Sequence, residues 1–329
     1  MDVSEVRGAN YEAQFADVAD MDDFYGRIED MGVVCGWRKG GDQSRDAEPS
    51  SPYKSAHWKY AQCRAALDAA AKLISAEEAG RRILNFRNPI PENDLGSSRT
   101  LLNAYQLVMP GEKAPSHRHT AHALRVILDS KDMYSVVSGE KTLMETGDVV
   151  LTPGGMWHSH EHNGDAPAYW IDGLDVPLVN LLQVQTWEPY PGGYEKVEKV
   201  VRVSPMRFAG EDIQRRLDAA APDTEGYYGP RVLLETPDMP TIGVHVMRLE
   251  AGQSTRQYRT NANITFASMQ GSGTTIIDGE EINWNHGDIF VAPTWRWIEH
   301  RANEDVQLFS MTDAPLLEFA KYLKFEGKE

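Results

Sequence analysis

Residues 139–153 read GEKTLMETGDVVLTP, and residues 279–293 read GEEINWNHGDIFVAP. The two stretches align at a constant offset of about 140 residues, the length of a small domain. They share two glycines, a closing proline and one aspartate, which is Asp148 in the first copy and Asp288 in the second. Solenoid repeats are much shorter than this. The offset therefore indicates a duplicated domain.

Short apolar runs separated by Gly, Pro and Asp surround the repeat, for example YQLVMPGE at 105–112 and MYSVVSGE at 133–140. Runs of this length and punctuation are typical of antiparallel sandwiches and barrels. The sequence therefore predicts a mainly β fold with two barrels. We place a mainly helical N-terminal extension at 1–95, the first barrel at 96–200 and the second barrel at 201–329.

Helical patterns lie outside the predicted strands. Apolar residues recur on one helix face between 60 and 74. Ser75 and Glu78 have the form of a capping box, which predicts a second short helix carrying Arg81 and Arg82. The other predicted non-strand segments are loops at 38–52 and 222–230 and helices at about 211–220 and 314–323.

Composition and charge exclude several classes of function. The formal charge is −16, from 33 basic and 49 acidic residues, and no basic run interrupts it. Such a chain repels nucleic acid and anionic membranes. No apolar stretch approaches the length of a membrane span or of a signal peptide, and Cys35 and Cys63 lack the spacing of a disulfide framework. We predict a cytoplasmic protein that binds neither nucleic acid nor membrane.

Three histidines occupy the positions of a two-part metal motif. Residues 111–119 fit G-x5-H-x-H, and residues 147–158 fit G-x5-P-x-G-x2-H. Alternate residues on a strand point to the same side, so His117 and His119 should project together. This pair of motifs is that of the cupins, double-sheet jelly rolls with a metal in the barrel mouth. We predict that His117, His119 and His158 are the ligands.

Neutral imidazoles suit Zn, Fe, Cu or Ni, and three of them leave coordination positions open. Many cupins place a glutamate four or five residues past the second histidine, but this chain has Ala123 and Leu124 there. The site should therefore hold its metal with three histidines. His122 has the wrong strand parity for a fourth ligand and is predicted to line the pocket.

The stretches that carry these motifs resemble the gentisate 1,2-dioxygenase family, which includes salicylate and 1-hydroxy-2-naphthoate dioxygenases. They are YQLVMPGEKAPSHRHTAHALRVIL at 105–128, GDVVLTP at 147–153, WHSH at 157–160 and YWIDGLDVPLV at 169–179. The resemblance implies a bicupin with one Fe(II) per chain, held in the first cupin, and a homotetramer. It also implies that both atoms of O2 enter a 2-hydroxybenzoate, whose ring opens between the carboxyl-bearing C1 and the hydroxyl-bearing C2.

The resemblance also implies roles for individual residues. Arg125 would bind the substrate carboxylate and take part in catalysis, and His160 would be the acid/base beside the metal. A pKa near neutrality would suit His160 for proton delivery. The other residues predicted to bind substrate are Arg81, Arg82, Leu102, Gln106, His122, Asp172 and Asp175.

Two departures from the family pattern concern the substrate. Leu102 stands where the family has an aromatic residue, and the Gly154-Gly155 pair replaces a bulkier segment. A smaller pocket wall would admit a ring with a bulky 5-substituent, so we expect a 5-substituted salicylate such as gentisate or 5-nitrosalicylate.

The second copy lacks the ligand triad. The offset maps the three ligands to Gln257, Arg259 and Ile298, and a one-residue shift replaces the first two by Tyr258 and Thr260. We predict a structural barrel that supports the first copy and an oligomer interface.

Three alternatives to this substrate and reaction remain open. The chain could be a 1-hydroxy-2-naphthoate dioxygenase, a non-catalytic cupin that binds an aromatic acid on its metal, or a Zn or Mn cupin isomerase. Arg125, Gln106 and His160 together favour the ring-cleaving enzyme, because a sensor needs no proton donor beside the metal.

Overall fold

The computed structural model describes residues 11–29, 31–33, 35–37 and 47–328. The chain divides into two compact units, residues 1–48 and residues 49–329. The described part of the first unit has a 3-10 turn at Tyr11–Gln14 and helix α1 at Met21–Glu29. Of the predicted loop at 38–52, residues 38–46 lie outside the described residues.

The second unit contains four further helices and the strands. The helices are α2 at Tyr60–Ala71, α3 at Val176–Leu181, α4 at Gly210–Ala219 and α5 at Ala314–Phe319. The strands up to the end of the first copy are β1 Ala56–Trp58, β2 Arg82–Asn85, β3 Leu102–Val108, β4 Lys113–His119, β5 Ala123–Asp129, β6 Met133–Val137, β7 Glu140–Met144, β8 Val149–Thr152, β9 His158–His162, β10 Ala168–Leu174, β11 Trp187–Pro189 and β12 Lys199–Val201. The remaining strands are β13 Arg207–Phe208, β14 Arg231–Leu234, β15 Gly243–Leu249, β16 Tyr258–Thr260, β17 Ile264–Gln270, β18 Gly273–Ile277, β19 Glu280–Trp284, β20 Ile289–Ala292, β21 Ile298–Ala302, β22 Val306–Thr312 and β23 Phe325–Gly327.

The strands form four sheets, two for each copy. The first copy has the orders β13-β8-β5-β10-β3-β2 and β11-β4-β9-β6-β7-β12. The second has β1-β20-β17-β22-β15-β14 and β19-β18-β21-β16-β23. The mainly β, two-cupin fold predicted from the repeat is confirmed. None of the helices in the described ranges is both long and apolar enough to cross a bilayer.

The duplicated unit begins earlier than the predicted barrels. Strand β1 and helix α2 precede the first copy as β13 and α4 precede the second, and each strand joins a sheet of the other copy. β1 pairs with β20, and β13 pairs with β8. Residues 56–85, predicted as part of an N-terminal extension, thus contribute strands to both copies. The predicted domain boundaries at 95 and 200 stay predictions.

Asp148, the aspartate of the repeat, explains how β13 and α4 are held on the first copy. One carboxylate oxygen accepts the backbone N–H of Gly210, the first residue of α4, at 2.9 Å. The other accepts the backbone N–H of Glu145 at 2.8 Å and a guanidinium N–H of Arg207 at 2.6 Å. A buried carboxylate with these donors fixes a turn, a strand and a helix start together.

Asp288 holds β1 and α2 on the second copy in the same way. It accepts the backbone N–H of Tyr60, the first residue of α2, at 2.8 Å and that of Asn285 at 3.1 Å. Its second oxygen lies 3.1 Å from Nε2 of His57 in β1. The aspartate that revealed the duplication is therefore the residue that ties each copy to its neighbour.

The largest hydrophobic cluster lies between the two copies. It joins β3, β5, β8 and β10 of the first copy to β15, β17, β20 and β22 of the second, with Leu67 of α2 and Leu217 of α4 fully buried in it. Alternate residues of β5 illustrate the pattern: Leu124 and Val126 face this cluster, whereas Ile127 lies in the smaller cluster inside the first barrel. Polar residues in phase with Ile127 must therefore also face the barrel interior.

The helix predictions are mostly confirmed, with one error. Helix α2 ends at Ala71, and α4 and α5 lie where helices were predicted, although α5 ends at Phe319. Ser75 and Glu78 do form both capping-box hydrogen bonds, at 3.0 and 3.1 Å. The segment after them is only a turn, and Arg82 begins strand β2, because Gly80 adopts a φ of +66° and ends the helical conformation.

Asp288→Ala should lower the free energy of unfolding by about 2–4 kcal/mol, because it leaves the buried N–H of Tyr60 without an acceptor and removes the hydrogen bond to Asn285 and the contact with His57. Urea denaturation measures this value. The matched control is Asp238→Ala, which removes an exposed carboxylate without hydrogen bonds in the structure and should change stability by less than about 0.5 kcal/mol. Equal stability of the two variants would contradict the proposed role of Asp288.

Candidate active site

The three predicted metal ligands lie together at the mouth of the first barrel. His117 and His119 project from β4, and His158 begins β9 directly opposite His117. One ligand nitrogen from each ring lies within 4.8 Å of the others, and among the described residues this is the one such group of three metal-ligating side chains. The spacing in the sequence thus corresponds to a real cluster.

Backbone carbonyl groups orient the rings. Nδ1 of His119 lies 2.8 Å from the carbonyl oxygen of Ala121, and Nδ1 of His158 lies 3.1 Å from that of Met156. A neutral imidazole that donates from Nδ1 has a free lone pair on Nε2, which can bind a metal. The contacts therefore preset two of the three rings as ligands.

Burial keeps the cluster neutral. It is the largest cause that lowers the pKa of His117 to about 2 and that of His119 to about 4, and it holds the pKa of His158 well below the usual value. The guanidinium groups of Arg81 and Arg125 act in the same direction. Neutral imidazole is the form that binds a metal.

Arg125 is buried inside the barrel beside an acidic partner. It lies on β5, and the residues at 120–122 separate this strand from β4, which carries His119. Its guanidinium donates to the hydroxyl of Thr152 at 2.6 Å and lies 3.4 Å from Asp172. Asp172 also accepts the indole N–H of Trp170 at 3.1 Å, so this carboxylate holds the guanidinium in place.

Several buried polar atoms on this interior face have no partner within the described chain. They include both ring nitrogens of His160, the amide nitrogen of Gln106 and one oxygen of Asp172. His160 lies 5.2 Å from Trp170 between ring centroids, and 6.5 Å from His158. Buried polar groups are rarely left unpaired, so this arrangement is that of a ligand site.

The pKa of His160 differs from the sequence expectation. Burial, followed by the charge of Arg125, lowers its pKa well below the usual value, so the ring is neutral near pH 7 and not poised at half-protonation. An anionic ligand beside Arg125 would oppose this effect, because its charge favours the imidazolium form.

Arg81 and Arg82 point in different directions. Nη2 of Arg81 lies 2.6 Å from Nδ1 of His117 and 3.2 Å from the carbonyl oxygen of Pro115. Arg82 is buried in an ion pair with Glu112 and lies opposite Leu107, whose side chain faces the core between the copies. The geometry therefore favours Arg81 over Arg82 as the substrate-binding residue of the pair.

Leu102 and the Gly154-Gly155 pair do not contribute equally to pocket shape. Leu102 is buried and in phase with Gln106 on β3, so it faces the barrel interior. A Cβ on Gly154 would overlap the carbonyl oxygen of Thr120, so this glycine is required by backbone packing. Gly155 has open space at its Cβ position but adopts a φ of +80°, which favours glycine whatever the pocket needs. Backbone conformation thus explains both glycines, and Leu102 is the departure that supports a wider pocket.

His122 and Asp175 form structural contacts. Nδ1 of His122 accepts the backbone N–H of Gly154 at 2.9 Å. Asp175 accepts the backbone N–H of His122 at 2.8 Å and lies 2.5 Å from the hydroxyl of Thr241. These contacts hold the turn after β4 against the Gly154 turn at the rim of the pocket, and the contact of His122 and Asp175 with substrate stays a prediction.

Trp187 is a rim residue that the sequence motifs did not identify. It begins β11, pairs with His119, and its ring lies 5.8 Å from that of His117. Its side chain is 61% exposed. Exposed indole beside a metal cluster is available to contact a planar ligand, but nothing in the sequence predicted that β11 folds back on β4.

The second barrel is filled where the first is polar. Strand registers place Tyr258 at the position of His117, Phe266 at that of Arg125 and His300 at that of His160. His300 bonds to Thr275 at 2.8 Å, and Trp284 also donates to Thr275, at 2.9 Å. The second copy thus has no counterpart to the three-histidine cluster, as predicted from the sequence.

Comparison with known proteins agrees with this geometry. The family model described as the cupin domain matches residues 104–176. The chain is 33% identical to 5-aminosalicylate 1,2-dioxygenase of Comamonas sp. over 82% of its length and 80% of the relative. It is 30% identical to gentisate 1,2-dioxygenase 1 of Aquipseudomonas alcaligenes, over 88% and 92% of the two chains.

The chain belongs to the gentisate and salicylate 1,2-dioxygenase family. It is also similar to 1-hydroxy-2-naphthoate 1,2-dioxygenase of Nocardioides sp., with 32% identity over 81% of this chain and 76% of the relative. The crystal structure of salicylate 1,2-dioxygenase from Pseudoaminobacter salicylatoxidans has the same fold, with a TM-score of 0.85, 24% identity and 95% of each chain covered. The predictions of a bicupin and of a ring-cleaving dioxygenase are confirmed.

His119→Ala should lose bound metal, because two imidazoles bind a divalent ion far more weakly than three. His160→Ala should retain it, since His160 lies outside the cluster of ligand atoms. Metal content per chain, measured by plasma emission after purification, distinguishes the two. The control is His286→Ala, at an exposed position outside the cluster, which should keep its metal. Unchanged metal content in His119→Ala would show that the ligand assignment is wrong.

Asp172 should make stability depend on pH. Burial raises its pKa to about 6, although Arg125 opposes the shift, so the folded protein binds this proton more tightly than the unfolded chain. The contribution of Asp172 to stability is therefore largest below about pH 4 and is lost as the pH rises through 6.

Relative to Asp172→Asn, the wild type should lose about 2 kcal/mol of stability between pH 4 and pH 7. Urea denaturation at the two pH values measures the difference. Asp165→Asn, at an exposed position, should follow the wild type, and a parallel pH profile for Asp172→Asn would contradict the assigned pKa.

Proposed function

We propose that this protein is an Fe(II)-dependent dioxygenase that opens the ring of a 5-substituted 2-hydroxybenzoate between C1 and C2. The observation that carries the proposal is the convergence of a neutral three-histidine cluster, a buried arginine and unpaired polar atoms on one interior face. Its relatives act on 5-aminosalicylate, gentisate and 1-hydroxy-2-naphthoate, and a shorter match is a 5-nitrosalicylic acid 1,2-dioxygenase.

His117, His119 and His158 would hold the iron, and the residues fit that ion. Imidazole is a common ligand of non-haem iron, and no thiolate or carboxylate of the described residues joins the cluster. When bound, Fe(II) would supply the electron path between the ring and O2. Zn²⁺ binds similar ligands but has no redox chemistry. The family match and the absence of a glutamate at positions 123 and 124 favour the dioxygenase over an isomerase.

Two arginines make this part of an acidic protein suitable for an anion. Arg125 carries the buried positive charge, and Arg81 adds a second beside His117. Guanidinium groups bind carboxylates through paired hydrogen bonds, so Arg125 would bind the substrate carboxylate, and Arg81 would add a second positive charge for the same anion. Gln106 offers an amide that can donate to the same ligand.

His160 would move the proton of the reaction. Both of its ring nitrogens are buried and unpaired, so a bound substrate hydroxyl is a suitable partner. A neutral imidazole can accept that proton as the phenolate forms and return it later. Exclusion of water by Trp170 and the barrel wall would keep the proton on this path.

Leu102 favours a 5-substituted ring. An aliphatic side chain at this interior position leaves more space than an indole or phenol. We expect gentisate, 5-aminosalicylate or 5-nitrosalicylate to be turned over faster than salicylate. The alternatives are 1-hydroxy-2-naphthoate as substrate, which also needs a wide pocket, and binding of an aromatic acid without turnover.

The oligomeric state and location stay predictions. We infer a homotetramer from the family resemblance, and apolar residues exposed at the ends of α3 and α5 and in the segments after them support burial against a partner. The exposed fractions are 54% for Leu181, 61% for Trp187, 88% for Phe319 and 68% for Tyr322. The predicted cytoplasmic location also stays a prediction.

The test is O2 uptake after anaerobic reconstitution with Fe(II), with ultraviolet spectra, on gentisate, 5-aminosalicylate, 5-nitrosalicylate, salicylate and 1-hydroxy-2-naphthoate. We expect O2 consumption with a new ring-opened chromophore for the 5-substituted acids. Equal turnover of salicylate would remove the proposed preference, and no uptake despite bound iron would favour the binding protein.

Two variants sharpen the result. Leu102→Trp should reduce kcat/KM for the 5-substituted acids by about tenfold or more relative to salicylate, because differences in pocket size are worth about 1–3 kcal/mol. His160→Ala should keep iron and lose turnover. If both variants keep wild-type kinetics, the site lies elsewhere.

A further inference from the structure

The interior of the second barrel contains a polar cluster that has no counterpart at the same positions in the first. Arg231 of β14 lies opposite Met247, and Met247 belongs to the cluster inside the second barrel. Directly paired residues share a face of the sheet, so Arg231 also points to the interior. The position of Arg231 corresponds to that of Ile83 in the first copy, which lies opposite Gln106.

A small enclosed cavity of about 30 Å³ lies beside Arg231. Its lining combines apolar residues with residues that carry hydroxyl groups. Ser310 and Phe266 take the positions of Asp172 and Arg125 in the first barrel. The lining residues that carry polar groups are Tyr228, Arg231, Tyr258, Ser310 and Thr312.

Arg231 has no acidic partner. No carboxylate of the described residues lies within ion-pair distance of it, although the chain has 49 acidic residues, and its guanidinium instead lies 4.2 Å from the ring centre of Tyr228. His245 pairs across the sheet with Ser310, and its Nδ1 is buried without a partner. A half-buried cation beside a cavity lined by hydroxyl groups is a favourable environment for an anion.

We infer that the second barrel binds a small monoanion, a carboxylate such as formate or a halide, at Arg231. The cavity is large enough for a group of about the size of a water molecule or slightly more, which excludes an aromatic ring. The site is therefore distinct from substrate binding in the first barrel and does not depend on the proposed reaction. The bound anion would neutralise the charge of Arg231, which no carboxylate of the described residues does.

The experiment measures binding of ¹³C-formate by the width of its NMR line, with the metal-loaded, anaerobic protein and with chloride as competitor. With saturating benzoate present to occupy the carboxylate site of the first barrel, we expect saturable broadening that chloride reverses, because benzoate is too large for the cavity beside Arg231. Arg231→Met should weaken formate binding by about tenfold or more, and Arg231→Lys, which keeps the charge, should retain most of it. Circular dichroism and the melting temperature establish that both variants are folded.

Arg125→Met is the matched control, because it removes the buried cation of the first barrel. Formate binding that survives Arg125→Met and is lost in Arg231→Met supports the second site. Binding lost in Arg125→Met alone would assign the anion to the first barrel and overturn the inference. Binding unchanged in both variants, or reversed by benzoate, would also overturn it, since the anion would then lie on the surface.

Discussion

The carboxylates of Asp148 and Asp288 are the constraint on which the arrangement of the two copies depends. Each accepts backbone donors from a turn of its own barrel and from the first residue of a helix that packs with the other copy. Because a buried carboxylate is stable only with several donors, the turn and the helix start must form together. The result is an exchange of β1 and β13 between the copies, which places their joint core between the two sheets.

This exchange determines where a ligand can enter. Alternate residues of β3, β5, β8 and β10 pack between the copies and are apolar. Polar side chains for a site must therefore come from the residues in between, which face the interior of the first barrel. Gln106, Arg125 and Asp172 are all in that phase. Helix α2 and strand β2 cover one side of the barrel, so residue 81 reaches the mouth from a segment that looked separate in the sequence.

Sequence reasoning was most successful where local spacing fixes geometry. The two-residue separation of His117 and His119 and the glycine-proline motif before His158 predict a cluster that the structure forms, because strand alternation and a tight turn leave little freedom. The repeat predicted the duplicated fold for a similar reason, since the turn glycines and the aspartate have roles that other residues cannot fill.

The failures concern contacts between segments distant in the sequence. The different directions of Arg81 and Arg82 depend on the register of β2 against β3, and the pattern after Ser75 favoured a helix instead. Trp187 reaches the metal cluster only because β11 pairs with β4, about seventy residues away along the chain. From the sequence, Gly154 was expected to widen the pocket. In the structure, its close approach to the backbone of Thr120 explains the glycine.

The contrast between the barrels shows how one fold separates support from chemistry. At equivalent interior positions the first copy has His117, Arg125 and His160, and the second has Tyr258, Phe266 and His300. In the first, both ring nitrogens of His160 and Nε of Arg125 have no hydrogen-bond partner and are available to a ligand; in the second, aromatic rings replace two of the three side chains, and Nδ1 of His300 pairs with the Thr275 hydroxyl. Unpaired buried groups destabilise a fold by about 1–3 kcal/mol each, so a ligand site is easier to maintain when a well-packed copy shares its core. The well-packed second barrel thus offsets the loss of stability caused by the unpaired polar groups that the first barrel needs to bind a ligand.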